Sequence, residues 1–385
     1  MVEELSVAGL FAGIGGLERG FEQVGLRTEL LCEIDPAAQR VLGRRFPRVE
    51  LVGDVREVRR LPPVDLLTAG FPCQDLSQAG RTVGITGAQS GLVGEVFRLL
   101  GRSGGPRWLL LENVPFMLSL ERGKAMRFLV DSLDELGFTW AYRVVDTMGF
   151  GLPQRRRRVL LLASRTEDPR TVLFADDAGP VRHRPRPDVA CGFYWTEGLR
   201  GLGWAVDGVP TLKGGSTIGI ASPPGIWFPA TGLIATPDLR DAERLQGFPA
   251  DWTHGADLDP GRARTSRWKL VGNAVSVPVA RWLGGRLANP AVVDRDQTRL
   301  TAGDPWPMGA WGRAGQAWRV DVSMCPVRRK RHHLEEFLSY PVTPLSPRAT
   351  EGFLRRAEAG NLRFPPGFLE DVAAHLARSR AAAAA

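Results

Sequence analysis

Cysteine and histidine are scarce in this chain, with four of the first and five of the second among 385 residues. The cysteines, Cys32, Cys73, Cys191 and Cys325, stand far apart and never form a C-x-x-C pair. That spacing gives no support to a disulfide framework or a zinc knuckle and fits a reducing cytoplasm, and no metal site is expected. No apolar run approaches the roughly 20 residues that span a membrane. Glu3 and Glu4 stand where a secretory leader would carry basic residues, so no leader is expected. What is plentiful is positive charge: 50 Lys and Arg against 42 Asp and Glu, a formal net charge of +8. Such a balance favours a polyanionic partner without identifying one.

Residues 5–11 form a short apolar run that ends in a glycine-rich turn, Gly13-Ile-Gly-Gly16. Residues 17–24 follow with helical spacing and stop at Gly25. Residues 29–33 predict a second strand and 36–42 a second helix, opened by Asp35 and Pro36, a favourable cap and first-turn pair. Residues 64–69, 108–112 and 158–163 are further buried-strand patterns. Strands that alternate with helices and read as continuous apolar runs predict an α/β fold, with a mainly parallel sheet covered by helices on both faces. After residue 164 the composition turns to Gly, Pro and Trp, which predicts a small irregular strand-and-loop domain over 164–235. Trp195, Trp204 and Trp227 read as its core anchors. Helical patterning returns at 237–246 and 275–287, and again at 367–378. The basic run Arg328-Arg-Lys-Arg331 reads as a solvated tail.

A glycine turn between strand and helix exposes backbone N–H groups and lets a ligand approach closely. Phe11-Ala-Gly-Ile-Gly-Gly16 has that setting. Glu33 ends the next expected strand, seventeen residues past Gly16, near the spacing at which an acid holds ribose hydroxyls. Asp54, in Gly53-Asp-Val55, follows the third expected strand and could accept from an adenine amino group. An adenosine-containing cofactor fits this set. Both NAD and S-adenosylmethionine stay open, although Gly16 directly after Gly15 breaks the G-x-G-x-x-G fingerprint of a pyrophosphate grip. A turn kept for packing alone is the plain alternative.

Gly70-Phe-Pro-Cys-Gln-Asp-Leu-Ser-Gln-Ala-Gly80 puts Cys73 just past the strand ending at Ala69, where α/β sheets place their chemistry. Nearby positive charge or a helix N-terminus could ionise its thiol. A lone cysteine is more often a small buried hydrophobe. Glu112 shifts that balance, because a carboxylate closing so apolar a strand is costly unless paired or used. Gln154-Arg-Arg-Arg-Arg158 precedes another buried strand, where Arg156 and Arg158 would share a face. A solvated or phosphate-contacting face is the simpler account of half of this run.

Taken in order, Phe11 to Gly16, Glu33-Ile-Asp35, Gly53-Asp54, Pro72-Cys-Gln74, Glu112-Asn-Val114, Gln154 to Arg158, Arg240 to Pro249 and Gly272-Asn-Ala-Val275 resemble the DNA (cytosine-5)-methyltransferase family. The resemblance covers 5–163 and 236–287. It implies a class I S-adenosylmethionine-dependent methyltransferase domain at 1–163, a target-recognition domain at 164–235 and a segment at 236–289 that completes the catalytic domain. Residues 290–385 would be an extension of unknown role. It further implies Cys73 as nucleophile toward cytosine carbon 6, Glu112 as the acid at N3, Arg158 at the O2 side and Arg156 in support. Phe11, Ala12, Gly13, Gly15, Gly16, Glu33, Ile34, Asp54, Val55, Pro72, Asn273 and Val275 would meet the cofactor. Gln74, Ser77, Gln154 and Thr211 would meet the nucleic acid, and 74–91 would form a lid behind a flipped base. The expected partner is double-stranded DNA, with a cognate restriction endonuclease or defence proteins in the same system. A monomer associated with the nucleoid is expected. A tRNA cytosine methyltransferase, a non-catalytic DNA-binding module and a nicotinamide oxidoreductase are the alternatives.

Overall fold

Every position of β1 (Ser6–Leu10) is buried, Val7 to Leu10 as the apolar run of a strand covered on both faces and Ser6 through hydrogen bonds to Asp65. The computed structural model describes residues 4–71, 91–101, 105–180, 188–215, 221–256, 263–301 and 303–384. Two units form: residues 1–149, 157–180 and 275–328 make the first, and 150–156, 181–274 and 329–385 the second.

In the first unit β1 is joined by β2 (Arg27–Cys32), β3 (Glu50–Val52), β4 (Leu66–Ala69), β5 (Trp108–Asn113), β6 (Thr139–Asp146) and β8 (Arg157–Ser164). The order runs β6-β8-β5-β4-β1-β2-β3. Pairs from β5 through β3 are parallel, and β8 is antiparallel to both β5 and β6. Six of these seven strands therefore share one direction, the mainly parallel sheet that the sequence predicts. Asp35 does cap helix Pro36–Arg45, accepting from the Ala37 amide at 2.9 Å. Helix Gly16–Glu22 packs closely on helix Val277–Ala288: a Cβ on Gly20 would stand 2.4 Å from that of Ala280.

Residues 290–328 do not trail away. They supply β14 (Gln297–Arg299), β15 (Gly309–Arg313) and β16 (Gln316–Val320), which continue the sheet beyond β6 by antiparallel pairing. Trp311 and Trp318 stack across β15 and β16 with ring centroids 4.3 Å apart.

The second unit holds an antiparallel sheet of β9 (Cys191–Phe193), β10 (Ala205–Val206), β12 (Gly225–Phe228), β13 (Leu233–Thr236) and β17 (Thr343–Pro344), in the order β10-β9-β12-β13-β17. A short parallel ribbon joins β7 (Gln154–Arg155) to β11 (Val209–Pro210). The expected return to the catalytic domain at residue 236 falls later, because 236–274 pack with this unit and the first resumes at Val275. Phe193, Trp204 and Trp227 form an aromatic core with Phe353 and Phe368, from helices Pro347–Ala359 and Phe368–Ala384. The indole N–H of Trp227 donates to Asp371 Oδ2 at 2.8 Å. Helices Pro347–Ala359 and Phe368–Ala384 thus contribute Phe353, Ala357, Phe368 and Val372 to this domain's core.

The basic run is not a solvated tail either. Arg328 donates to the carbonyl of Ala178, and Arg331 is fixed on Asp207, which also receives His333 and the Leu334 amide. Arg329 and Lys330, between these anchors, are exposed. No helix among the described residues is long and apolar enough to cross a membrane.

Candidate active site

The carboxyl edge of the first unit's sheet gathers two clusters. One begins where β1 ends. The chain leaves it through Phe11 at φ 55, a left-handed conformation that costs a non-glycine residue about 1–3 kcal/mol. Backbone bonds hold it there: the Ala12 amide donates to Cys32 at 3.1 Å and the Gly15 amide to Ala12 at 2.9 Å. Gly15, at φ 79, then opens helix Gly16–Glu22, a conformation that favours glycine. The Gly13 amide donates to Glu33 Oε2 at 2.7 Å, and the Asp35 amide to Oε1 at 2.8 Å. Glu33 therefore clamps the turn onto the end of β2. Burial pushes its carboxyl up, while the amides of Asp35 and Gly13 pull it down.

Ile34 projects from this edge at 61% exposure, a large apolar side chain left open to solvent. Asp54 follows β3, with Val55 buried behind it. The Arg56 guanidinium beside Asp54, with Nε 2.9 Å from Oδ1, holds its carboxyl down at about 2. Val275 closes the base of the turn, for its carbonyl oxygen would stand 2.3 Å from a Cβ on Gly16. Phe11, Ala12, Gly13, Gly15, Gly16, Glu33, Ile34, Asp54, Val55 and Val275 are accordingly all residues of the first unit.

The second cluster lies at the ends of β4 and β5. Glu112 is 8% exposed. Leu160 of β8 stands opposite it in register, so Arg158, two residues earlier, leaves the strand on the same face. Arg158 Nε lies 2.8 Å from Glu112 Oε1, an ion pair in a largely buried setting. Among the described residues that oxygen accepts no hydrogen bond. Gly70 sits beside the pair, with a Cβ position 3.7 Å from Glu112 Oε2 and 3.8 Å from the Phe11 carbonyl. The glycine turn and the acid thus meet at one strand edge.

Asn113 was not singled out by the sequence reading. Its Nδ2 donates to the Phe71 carbonyl at 3.1 Å, while its Oδ1 receives the Val114 amide at 2.8 Å. It anchors the chain at the residue before Pro72. Its position between Glu112 and the turn at Val114-Pro115 is the signal that could have found it. Pro72, Cys73, Gln74, Ser77 and the expected lid at 74–91 lie in or beside the stretch outside the described residues.

The arginine run does not form one strand. It breaks at Arg156, between β7 and β8, so Arg156 and Arg158 do not share the face expected of them. Arg156 is 1% exposed and donates to the carbonyls of Leu212, Gly272 and Ala274, at 3.1, 3.2 and 2.6 Å. Gln154, fully buried, donates to Leu245 and accepts from the Leu212 amide. The Thr211 hydroxyl donates to the Arg155 carbonyl at 2.9 Å. Asn273, at the end of helix Ala263–Asn273, lies against Gly214. These four residues knit together three segments of the second unit.

Residues 5–185 match the C-5 cytosine-specific DNA methylase family. The Type II methyltransferase M2.BsuMI of Bacillus subtilis (strain 168) is 48% identical over 382 residues, covering 96% of this chain and 97% of its own. This chain belongs to the C-5 cytosine-specific DNA methylases. A further relative, Type II methyltransferase M.HaeII of Haemophilus aegyptius, is 29% identical across 75% of this chain and 94% of its own. Among solved structures, the S. pombe Dnmt2 methyltransferase shares the fold with a TM-score of 0.52 at 16% identity, over 74% of this chain and 98% of that one. This cytosine-5 methylase is therefore an enzyme of the DNA (cytosine-5)-methyltransferase class on a class I methyltransferase fold.

Proposed function

We propose that this methylase uses S-adenosylmethionine and a transient Cys73–carbon 6 bond to methylate a flipped-out cytosine in a specific double-stranded DNA sequence. Its role would be host protection in a restriction–modification system, as the name of its 48%-identical relative suggests. The observation that carries the reading is the buried Glu112–Arg158 pair beside the glycine turn.

The donor set suits the cofactor. Glu33 spends one acceptor site per oxygen on the turn and keeps others for ribose hydroxyls. Ile34 offers an exposed apolar surface to a flat base, and Asp54 a second carboxylate to an exocyclic amine. Among the described residues nothing lies within 4 Å of a Cβ position on Gly13, which suits the close approach of a ligand. When bound, S-adenosylmethionine supplies an electrophilic methyl group.

Cytosine carbon 5 is a poor nucleophile until the ring is activated. Attack by the Cys73 thiolate forms a sulfur–carbon 6 bond and moves the ring's π pair toward carbon 5. Glu112 donates its proton to N3, so the ring does not accumulate negative charge. Arg158 holds Glu112 and offers N–H donors to the O2 side. Once carbon 5 carries the methyl group, a base takes the carbon 5 proton and that C–H pair re-forms the carbon 5–carbon 6 double bond. The sulfur leaves with the electrons of its bond to carbon 6, and N3 returns its proton to Glu112. Gln154, Arg156, Thr211 and Asn273 act as positioning residues for the segments around them, in support of DNA and cofactor. Cys32 and Cys191 are poorly suited to attack, since burial pushes the first up to about 12 and the second to about 11.

Double-stranded DNA is the partner, a monomer the working form, and an endonuclease a genetic rather than physical companion. Incubation with a methyl-labelled donor tests the substrate: DNA should gain label at cytosine carbon 5. Label confined to tRNA would overturn the reading.

A further inference from the structure

Glu18 stands in the first turn of helix Gly16–Glu22, which the glycine turn opens, yet it is 1% exposed. Among the described residues neither carboxyl oxygen has a hydrogen-bond partner on another residue, and only the backbone of Glu18 itself favours the charged form. The side chain folds back onto the sheet: a Cβ on Gly9 would stand 2.2 Å from Glu18 Oε1. Glycine in the middle of β1 thus makes room for an acid. Thr68 is the partner of Gly9 across the β1–β4 pair, so its side chain leaves the same face of the sheet. Its hydroxyl is also buried and has no hydrogen-bond partner among the described residues.

A carboxylate so placed is costly to ionise without a compensating cation. The charges acting on it are Glu22 and Glu33, both negative, and the nearest cation along the helix, Arg19, pairs with Glu22. Helix Val277–Ala288, which packs on the same helix at Gly20, meets it there through Ala280 and the backbone of Val277 and Arg281, and Arg281 is not among the charges acting on Glu18. Burial, with these neighbours, holds Glu18 up at about 7. The fold keeps this acid against Gly9, two residues before Phe11, and among the described residues no cation or hydrogen-bond donor of another residue reaches it.

We propose that Glu18 is a counter-charge for a cationic ligand on the glycine turn, protonated when no cation is there and ionised when a sulfonium is. This rests on the S-adenosylmethionine reading. The cofactor carries a positive sulfur before transfer and a neutral thioether afterwards. A protein that spends an ionised carboxyl only on the first form discriminates substrate from product through that difference alone. A buried charge acts across several ångströms in a weakly screened interior, so direct contact is unnecessary.

Calorimetry of the full chain at pH 7, in phosphate and in Tris, reads the protons released on binding. Wild type should release more protons with S-adenosylmethionine, and with its cationic analogue sinefungin, than with S-adenosylhomocysteine. Glu18→Gln should abolish that excess and reduce the preference for S-adenosylmethionine over S-adenosylhomocysteine by about 3- to 10-fold. Equal excess release by wild type and Glu18→Gln would overturn the proposal. A second measurement needs no variant: in wild type the affinity ratio of the two ligands should rise between pH 6 and 8, and a flat ratio would also overturn it. Should wild type bind neither ligand, the cofactor reading itself would fail, an outcome distinct from both.

Discussion

The buried acid beneath the glycine turn makes a prediction about stability that needs no ligand. Glu18 titrates near its ordinary 4.5 in the unfolded chain and near 7 in the fold, because burial opposes its charged form. A group raised on folding contributes stability that is fully present below 4.5 and is lost as pH rises through about 7. At about 1.4 kcal/mol per pH unit across that window, the loss is about 3 kcal/mol. Glu18→Gln keeps the shape and removes the titration. Urea unfolding, followed by far-UV circular dichroism at half-unit steps from pH 4.5 to 8.5, should therefore show the variant gaining on wild type. The difference should grow by about 3 kcal/mol up to pH 7.5 and then level off. Two curves that stay parallel within about 0.5 kcal/mol would refute the reasoning, since the carboxyl would then ionise as easily folded as unfolded.

Arg158→Ala should leave Glu112 buried without its cation and cost about 3–5 kcal/mol as well as methylation, whereas Arg157→Ala, whose side chain is 47% exposed, should cost under about 1 kcal/mol and keep activity. Denaturation and methyl incorporation on the two variants check this. Arg329→Ala with Lys330→Ala should weaken DNA binding across sequences and lower the salt slope by about 2, if the exposed middle of the anchored basic run meets phosphates. Truncation before residue 335 should abolish cooperative unfolding of the second unit, because it removes Phe353 and Phe368 from the core around Phe193.

What the sequence made legible was local. The run from Ser6 to Leu10, the cap at Asp35 and the lone acid after Trp108-Leu-Leu-Leu111 each carry their signal within a few residues, and each appears where that signal puts it. The rest depends on distant partners. Arg156 breaks the arginine run because its guanidinium satisfies carbonyls at Leu212, Gly272 and Ala274, which no strand periodicity reveals. β14 is exposed at every position and pairs only with β16, so nothing apolar marked it. The helices after residue 346 looked like an appendage, since the aromatic residues they cover lie more than a hundred positions earlier. Glu18 reads as a surface residue of a helix until the contact with Gly9 is known.

The central claim is that a sulfur at position 73 bonds to the pyrimidine while the acid at position 112 acts on its N3. Trapping with duplex DNA carrying 5-fluorocytosine, followed by peptide mapping, tests it most directly. The account predicts one nucleotide-bearing peptide, containing Cys73, absent from Cys73→Ser and strongly reduced in Glu112→Gln. An adduct on any other residue, or one formed equally well by Cys73→Ser, would contradict it.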